Sequence, residues 1–194
     1  MGNEIYEGFD RVSSILDTYQ DPGLIKWKVK VGAKEAKRIS NLATGIGTNV
    51  DEYIKAQITN DKLPKLKTVE AENCIRAWNK FREDYCVITS CVEVGKRIFC
   101  EQTKITGEPD LILKGRELEV LDIKCSSEIR TNYWLQTNWY ATKLSIPLRS
   151  VLRLDKNLGV YEYERREVSS EDQNVFDALT KVYRYFKPVK EVEE

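Results

Sequence analysis

The stretch ELEVLDIKCSS, Glu117–Ser127, places an aspartate and a lysine two residues apart in an otherwise apolar, β-prone run. Residues i and i+2 of a β-strand point to the same face, so we expect Asp122 and Lys124 to lie side by side. Burying either charge is costly unless another group pairs with it. Either the two side chains form an ion pair on a half-exposed strand, or a further charged group lies beside them.

The sequence on either side of this strand predicts a mixed α/β fold with a helical N-terminal half. Helical patterns cover residues 13–19, 22–30, 33–58, with a glycine-rich interruption at TGIGTN (44–49), and 68–85. Four β-branched-rich runs follow and predict successive antiparallel strands at 86–94, 97–105, 109–115 and 117–125. A helix at 132–144, strands at 148–154 and 159–167, and a helix at 170–186 come last. This order predicts a central mixed sheet flanked by helices.

The length of 194 residues predicts one domain. We expect a mainly helical part over 1–85, a core of sheet and helix over 86–168, and a C-terminal helix with an acidic tail over 169–194. Basic and acidic residues balance at 31 each, so no overall field indicates a nucleic-acid or membrane partner. No apolar stretch approaches the ~18 residues that span a bilayer, and the start, MGNEIYEGFD, lacks the pattern of a signal peptide. We therefore expect a soluble cytoplasmic protein with no membrane partner.

The chain contains no histidine, which excludes the Ser-His and Cys-His triads, a histidine general base and the usual catalytic zinc sites. Its five cysteines form no C-x-x-C pair, which favours reduced, mostly buried thiols over a zinc or iron–sulfur site. An enzyme with this composition would rely on carboxylates, lysine and tyrosine.

Two carboxylates can meet beside the Asp-x-Lys strand. Asp110 ends the stretch GEPD, and a hairpin at KGRE joins its strand to that of Asp122. Neighbouring strands lie under ~5 Å apart, so both carboxylates can ligate one hard cation, with the carbonyl of Ile123 as a further ligand. Lys124 would then orient a metal-bound water or stabilise the charge on a phosphate. This arrangement suits phosphodiester hydrolysis; the alternative, a simple ion pair with Asp110 in a turn, stays open.

Four motifs in order resemble the PD-(D/E)xK nuclease superfamily, in its RecB-like/Cas4-like exonuclease branch, which includes mitochondrial genome-maintenance exonucleases and phage relatives. GEPDLIL resembles the G-x-x-D strand of that branch, EVLDIKCS its D/E-x-K strand, and QTNWYA, with Gln136 and Tyr140, its Q-x-x-x-Y helix. Upstream, VSSILDTYQDPGLIKWKVKVG and ATGIGTNVDEYI resemble its N-terminal helical half. The resemblance covers about residues 12–144.

The resemblance implies a restriction-endonuclease-like core and a Mg²⁺- or Mn²⁺-dependent deoxyribonuclease, most simply an exonuclease of cellular or viral replication, recombination or repair. The partner would be DNA, as a single strand or a duplex end, and a homo-oligomer is one alternative; a viral protein would act inside the host cell. Gln136 would position Lys124 or a metal-bound water, and Tyr140 would lie near the phosphate. Alternatively, Tyr140 belongs to the core and Gln136 is a surface amide.

Two departures from the branch concern its metals. Asp51 stands where the pattern G-T-x-x-H has histidine, and a carboxylate ligates Mg²⁺ at least as well, so Asp51 is expected to complete the metal site. Members of the branch often hold an iron–sulfur cluster on C-terminal cysteines, but no cysteine follows Cys125. We expect no cluster.

A basic stretch between residues 26 and 38 is either a solvated helix face or a set of phosphate contacts. Its candidate nucleic-acid-binding residues are Lys26, Lys28, Lys30, Lys34, Lys37 and Arg38. Two other functions are compatible with the same residues. One is an endonuclease acting on junctions, flaps or restriction sites, and the other is a non-catalytic nucleic-acid-binding module on the nuclease fold.

Overall fold

The computed structural model describes residues 8–85 and 91–187. Its helices and strands, in chain order, are β1 (Asp10–Arg11), α1 (Val12–Leu16), α2 (Pro22–Val31), α3 (Ala33–Thr59), α4 (Val69–Asp84), β2 (Cys91–Val94), β3 (Ile98–Cys100), β4 (Ile105–Gly107), β5 (Leu111–Lys114), β6 (Leu118–Lys124), α5 (Thr131–Leu144), β7 (Leu148–Leu154), β8 (Tyr161–Glu167) and α6 (Ser170–Phe186). The predicted mixed α/β fold with a helical N-terminal half is confirmed.

The main sheet has five strands in the order β2-β5-β6-β7-β8, and its centre is β6. Strands β6 and β7 are parallel, which requires the crossover through α5, and the other neighbours are antiparallel. Strand β5 returns as β6 through the predicted hairpin, with Leu111 opposite Leu121. A smaller sheet, in the order β1-β4-β3, is not hydrogen-bonded to the five strands. Its residues Ile98 and Ile105 pack in one core with Val120 of β6.

The alternation of side chains along β6 separates two hydrophobic cores. Val120 packs with α1, α5 and α6, where Trp139 and Phe176 are buried. Leu121 points to the opposite face and packs with α3 and α4, where Trp78 is buried. Both faces of the sheet are therefore covered by helices, as the element order predicts.

Buried polar contacts fix α5 on the sheet. Arg149 of β7 forms an ion pair with Asp172 of α6 at 2.5 Å and donates to the carbonyl of Trp134 at 2.7 Å. Asn138 exchanges two hydrogen bonds with the backbone of Ser169, immediately before α6. A buried arginine or asparagine is stable only when its donors are satisfied, so these contacts determine where α5 lies.

Some of the sequence predictions are wrong in detail. Helix α3 runs without a break through Gly45 and Gly47, because its C-terminal half packs on α4 and a helix tolerates glycines at about 1 kcal/mol each. The predicted strand at 97–105 is two strands, β3 and β4, joined by a turn in which Lys104 has a φ of 50°. Strand β3 pairs with β4, and β4 pairs with β1 and not with the main sheet, so the four runs are not one antiparallel series.

Helix α1 is shorter than predicted and ends at Leu16. Of the cysteines, Cys74 and Cys100 are buried thiols, Cys91 and Cys125 are partly buried thiols, and Cys86 lies outside the described residues, as does the first part of the strand predicted at 86–94. Within the described part of the chain, no helix combines the length and the apolar character needed to cross a membrane.

The unbroken course of α3 predicts the effect of replacing its glycine at position 45. An added Cβ at Gly45 meets no atom within 4 Å, so Gly45→Ala should stabilise the protein by about 1 kcal/mol through helix propensity. The melting temperature, followed by circular dichroism, should rise by ~2–4 °C. Gly32→Ala is the matched control and should lower it, because Gly32 has a φ of 84°. A melting temperature lowered by Gly45→Ala would contradict a continuous helix.

Candidate active site

A cleft of about 630 Å³ opens where α3, the ends of β5 and β6, and α5 meet. It brings together most of the predicted site residues, namely Asp51, Asp110, Asp122, Ile123, Lys124 and Gln136. Tyr140 lies deeper in the wall of α5 and is 3% exposed. The basic stretch at 26–38 lies outside this cleft.

Asp110 and Asp122 are held side by side by the pairing of β5 with β6. Asp110 immediately precedes Leu111, which pairs with Leu121, so the register places Asp110 opposite Asp122. One carboxylate oxygen of Asp110 accepts a hydrogen bond of 2.6 Å from the N–H of Ile123. The backbone of Ile123 therefore orients Asp110, whereas a role for its carbonyl as a ligand stays a prediction.

Asp122 and Lys124 share a face, as the spacing predicts. Lys124 Nζ lies 2.6 Å from Asp122 Oδ2, and the side chains are 22% and 2% exposed. Lys124 is thus the partner of Oδ2, and no other group in the part of the chain that the structure describes donates a hydrogen bond to this oxygen. The ion pair of the simpler interpretation is thus present, but its carboxylate is buried on a central strand and not half-exposed.

The charges of this cluster shift the pKa values of Asp110 and Lys124. Burial and the charge of Asp122 raise the pKa of Asp110 from 3.8 to about 8, although Lys124 acts in the opposite direction. Burial alone would lower the pKa of Lys124, but the charges of Asp122 and Asp110 raise it. Lys124 is therefore a cation at neutral pH, and its ammonium group cannot accept a proton there.

Asp51 reaches the cleft from α3 but is paired with a lysine of its own helix. Lys55 Nζ lies 3.1 Å from Asp51 and 3.2 Å from Glu108. Burial raises the pKa of Asp51, and the charge of Lys55 partly opposes this. Within residues 8–85 and 91–187, no three or more Asp, Glu, Cys or His side chains are grouped closely enough to hold a metal ion. Asp51 as a third ligand stays a prediction.

Gln136 and Tyr140 form the pair predicted from their spacing on α5. Gln136 Nε2 donates a hydrogen bond of 2.9 Å to the hydroxyl of Tyr140. Burial and the charge of Asp122 raise the pKa of Tyr140, so its phenol keeps its proton. Tyr140 belongs to the core, whereas Gln136 lines the cleft and is not an isolated surface amide.

The glycine of GEPD makes room for this tyrosine. A Cβ at Gly107 would lie 2.5 Å from Cε1 of Tyr140 and 3.0 Å from a methyl of Val12. No real Cβ approaches so closely, so Gly107 is needed for packing and not for a left-handed turn. The motif GEPD thus contributes to both places: Gly107 makes room for Tyr140 in the core behind α5, and Asp110, three residues later, lies in the cleft.

The sequence analysis missed three side chains close to the site. The ring of Tyr133 lies 5.2 Å from Lys124 Nζ, and Tyr133 is three residues before Gln136 on the same helix face. Lys55 follows Asp51 by four residues, so helical spacing could have revealed that pair. Glu108 contacts Lys55 and Arg97, and no sequence pattern indicates this because the contacts are long-range.

The candidate nucleic-acid-binding residues lie on α2 and the first turns of α3. All six side chains are exposed. Arg38 pairs with Glu35 at 2.7 Å, whereas the five lysines form no ion pair with another described residue. Lys28 and Lys37 line shallow grooves beside the α2–α3 junction. A role in phosphate contact stays a prediction.

The arrangement of helices and sheet defines a class of protein that includes solved exonucleases. No family model matches the chain, and no curated protein is significantly similar to it in sequence. The fold resembles that of an alkaline exonuclease, LHK-Exo, from Laribacter hongkongensis, with a TM-score of 0.53, 13% identity, and 92% of this chain and 87% of that chain covered.

Two further solved structures have a similar fold. The complex of LHK-Exo with dAMP has a TM-score of 0.51 at 11% identity and the same coverage of 92% and 87%. The crystal structure of SSO0001 has a TM-score of 0.51 at 10% identity and covers 94% of this chain and 78% of that chain. At such identities the similarity establishes a shared fold, and function must be argued from the cleft.

The raised pKa of Asp110 predicts that Asp110→Asn stabilises the protein by an amount that depends on pH. Between pH ~4 and ~8 the folded metal-free protein keeps a proton that the unfolded chain loses, so the stability that Asp110 contributes falls as pH rises. In EDTA, Asp110→Asn should therefore melt ~2–4 °C above wild type at pH 8, a gain of about 1 kcal/mol, and close to wild type at pH 4. Thermal melts at both pH values measure this.

Asp177→Asn, on an exposed face of α6, serves as the control and should show no such pH dependence. A difference in melting temperature that is equal at pH 4 and pH 8 would show that Asp110 is not protonated in the folded metal-free protein.

Proposed function

We propose that this protein is a Mg²⁺- or Mn²⁺-dependent deoxyribonuclease of the PD-(D/E)xK superfamily, acting as an exonuclease. One observation carries the proposal. Asp110, Asp122 and Lys124 lie together on neighbouring strands at the floor of a cleft, in a fold shared with a solved alkaline exonuclease. An ion pair that served stability alone would have no need of a second buried carboxylate beside it.

The charges of the cleft fit a hard divalent cation. Asp122 Oδ2 is buried and, apart from the ammonium group of Lys124 at 2.6 Å, accepts no hydrogen bond from a described residue. The pKa of Asp110 is raised because its charge is buried close to that of Asp122. A cation would offset both costs, and carboxylate oxygens are its preferred ligands. Asp110 and Asp122 would hold it, Asp51 and the carbonyl of Ile123 would complete the site, and when bound it would lower the pKa of water.

The other side chains of the cleft would orient the reactants. Lys124 is protonated, so it would stabilise negative charge on the phosphate or orient the attacking water, and it would not remove a proton. Gln136 binds Tyr140 through its amide N–H, and its carbonyl oxygen accepts no hydrogen bond from a described residue. That oxygen is available to Lys124 or to the attacking water.

DNA is the substrate that the fold similarity favours. The similar structures are named as an alkaline exonuclease and as its complex with dAMP, the mononucleotide that an exonuclease would release. A role in cellular or viral replication, recombination or repair follows from that chemistry. An endonuclease is the nearest alternative, because Asp110, Asp122 and Lys124 would act in the same way on a terminal and on an internal phosphodiester.

Loss of the central carboxylate should abolish hydrolysis. With Mg²⁺ or Mn²⁺, wild type should degrade linear DNA, and Asp122→Ala should reduce the rate by about 10³-fold. Lys124→Met should lower kcat by about 10²–10³-fold with a smaller effect on KM, because Lys124 acts on charge that develops in the transition state. Asp177→Ala should retain the wild-type rate. Equal rates for wild type and Asp122→Ala would refute the proposal.

The exonuclease assignment has its own test. Linear single-stranded DNA and a covalently closed circle of the same sequence are incubated with the protein and Mn²⁺, and products are resolved by denaturing electrophoresis. An exonuclease should release mononucleotides or short fragments from the linear strand and leave the circle intact, because it requires an end. Cleavage of both at similar rates would assign an endonuclease.

A further inference from the structure

A second groove borders the cleft. It lies between α2, α3 and the segment 127–130 and has a volume of about 460 Å³. Ala43 lines both spaces, and Ser126 of the cleft is followed by Ser127 of the groove. A polymer bound at Asp122 could therefore continue into this space, which we call the Trp27 groove and which is lined by Leu24, Trp27, Ser40, Ala43, Ser127 and Arg130.

Trp27 differs from the other tryptophans of the chain. The chain has four, and Trp78, Trp134 and Trp139 are 0%, 4% and 1% exposed. Trp27 is partly exposed on α2, a helix in which no residue is buried. Within the described residues its indole makes no ring–ring contact and donates no hydrogen bond. An accessible indole in a groove can stack on a nucleobase of any identity.

The floor of the groove is a face of α3 with small side chains. Ser40, Ala43 and Gly47 are spaced by three and four residues and therefore share one face. Ser40 and Ala43 line the groove, and Ala43 and Gly47 line the cleft. At 1.5 Å per residue, the separation of seven positions between Ser40 and Gly47 spans about 10 Å, the length of about three stacked nucleotides.

The positive charge that suits a phosphate backbone lies beside the Trp27 groove and not in its lining. Arg130 Nε lies 3.4 Å from Glu128, so the charges of these two lining residues offset each other. Asp21, the other acidic residue of the lining, accepts hydrogen bonds from the N–H groups of Gly23 and Leu24 at the start of α2. The unpaired lysines of α2 and early α3 add positive charge beside the groove.

We propose that the Trp27 groove binds a single, unpaired nucleic-acid strand, with Trp27 stacked on a base two or three nucleotides from the phosphate at Asp122. The bases of a duplex are stacked on one another and present only their edges in its grooves, so a face-on contact with Trp27 requires an unpaired strand. This proposal rests on the proposed nuclease function and specifies which form of the substrate reaches the site.

The test compares strand binding with hydrolysis. In EDTA, which prevents cleavage, a 12-nucleotide oligo(dT) should quench the tryptophan emission of wild type, since the other three indoles are buried. By fluorescence anisotropy, Trp27→Ala should bind fluorescein-labelled oligo(dT) about tenfold more weakly, whereas Trp27→Phe, which keeps a stacking ring, should bind nearly as well as wild type. There are two controls. Tyr185→Ala changes a side chain that is 83% exposed on α6 and should bind oligo(dT) like wild type. A blunt-ended hairpin duplex should bind Trp27→Ala and wild type equally well.

A small substrate separates this proposal from the one on which it rests. Hydrolysis of thymidine 5′-monophosphate p-nitrophenyl ester with Mn²⁺ needs the cleft but not the groove, so Trp27→Ala should retain it. The groove proposal is overturned if wild type hydrolyses the ester but Trp27→Ala binds oligo(dT) as tightly as wild type. It is also overturned if Trp27→Ala loses as much affinity for the hairpin duplex as for oligo(dT). If oligo(dT) quenches Trp27 but wild type hydrolyses neither ester nor DNA, strand binding stands and the nuclease proposal fails.

Discussion

The buried carboxylate of Asp122 is the constraint on which the site depends. It lies on the central strand of the main sheet, where its neighbours Val120 and Leu121 are fully buried. A charge in such a position must be balanced locally, because unpaired burial costs several kcal/mol (~3–5). Lys124 supplies one positive charge, and the hairpin register then adds the negative charge of Asp110. With Asp110 ionised the cluster carries two negative charges and one positive charge, which is unfavourable for stability alone and raises the pKa of Asp110. A bound cation would balance that second negative charge.

The walls of the cleft are set by contacts that lie outside it. Arg149 and Asn138 fix α5 against β7 and α6, and the absence of a side chain at Gly107 lets Tyr140 pack beneath that helix. Gln136 reaches the cleft only because α5 is held in this position. A substitution at Gly107 or Arg149 would therefore act on the geometry of the site through the core, and its effect on activity would accompany a loss of stability.

The sequence predicted the parts of the site that depend on local periodicity. The two-residue period of a strand placed Asp122 beside Lys124, and the four-residue spacing of a helix placed Gln136 beside Tyr140. The hairpin between β5 and β6 followed from its turn residues. The fold class followed from the order of elements, since a helix between two strands allows the crossover connection that a parallel pair needs.

Features that depend on tertiary contacts could not be predicted in this way. Packing on α4 keeps α3 helical through its two glycines, against their local preference. The pairing of β4 with β1 joins residues more than 90 positions apart in sequence, such as Asp10 and Ile105, and strands of two or three residues carry too little pattern to specify a partner. The Lys55–Glu108 contact joins a helix to the loop before β5, and only the folded chain shows it.

The protonation states of the cleft restrict which side chain can accept a proton from water. The chain has no histidine, and the pKa values of Lys124 and Tyr140 are raised, so neither an imidazole nor either of these groups is a base at neutral pH. Carboxylates are the remaining acceptors that line the cleft, and Asp110, whose pKa is about 8, is protonated there in the metal-free protein. A bound cation would favour the ionised form of Asp110. Cation binding and loss of a proton from the cleft are therefore coupled. Raising the pH should favour both, up to the pH at which hydroxide in solution competes with the carboxylates for the metal.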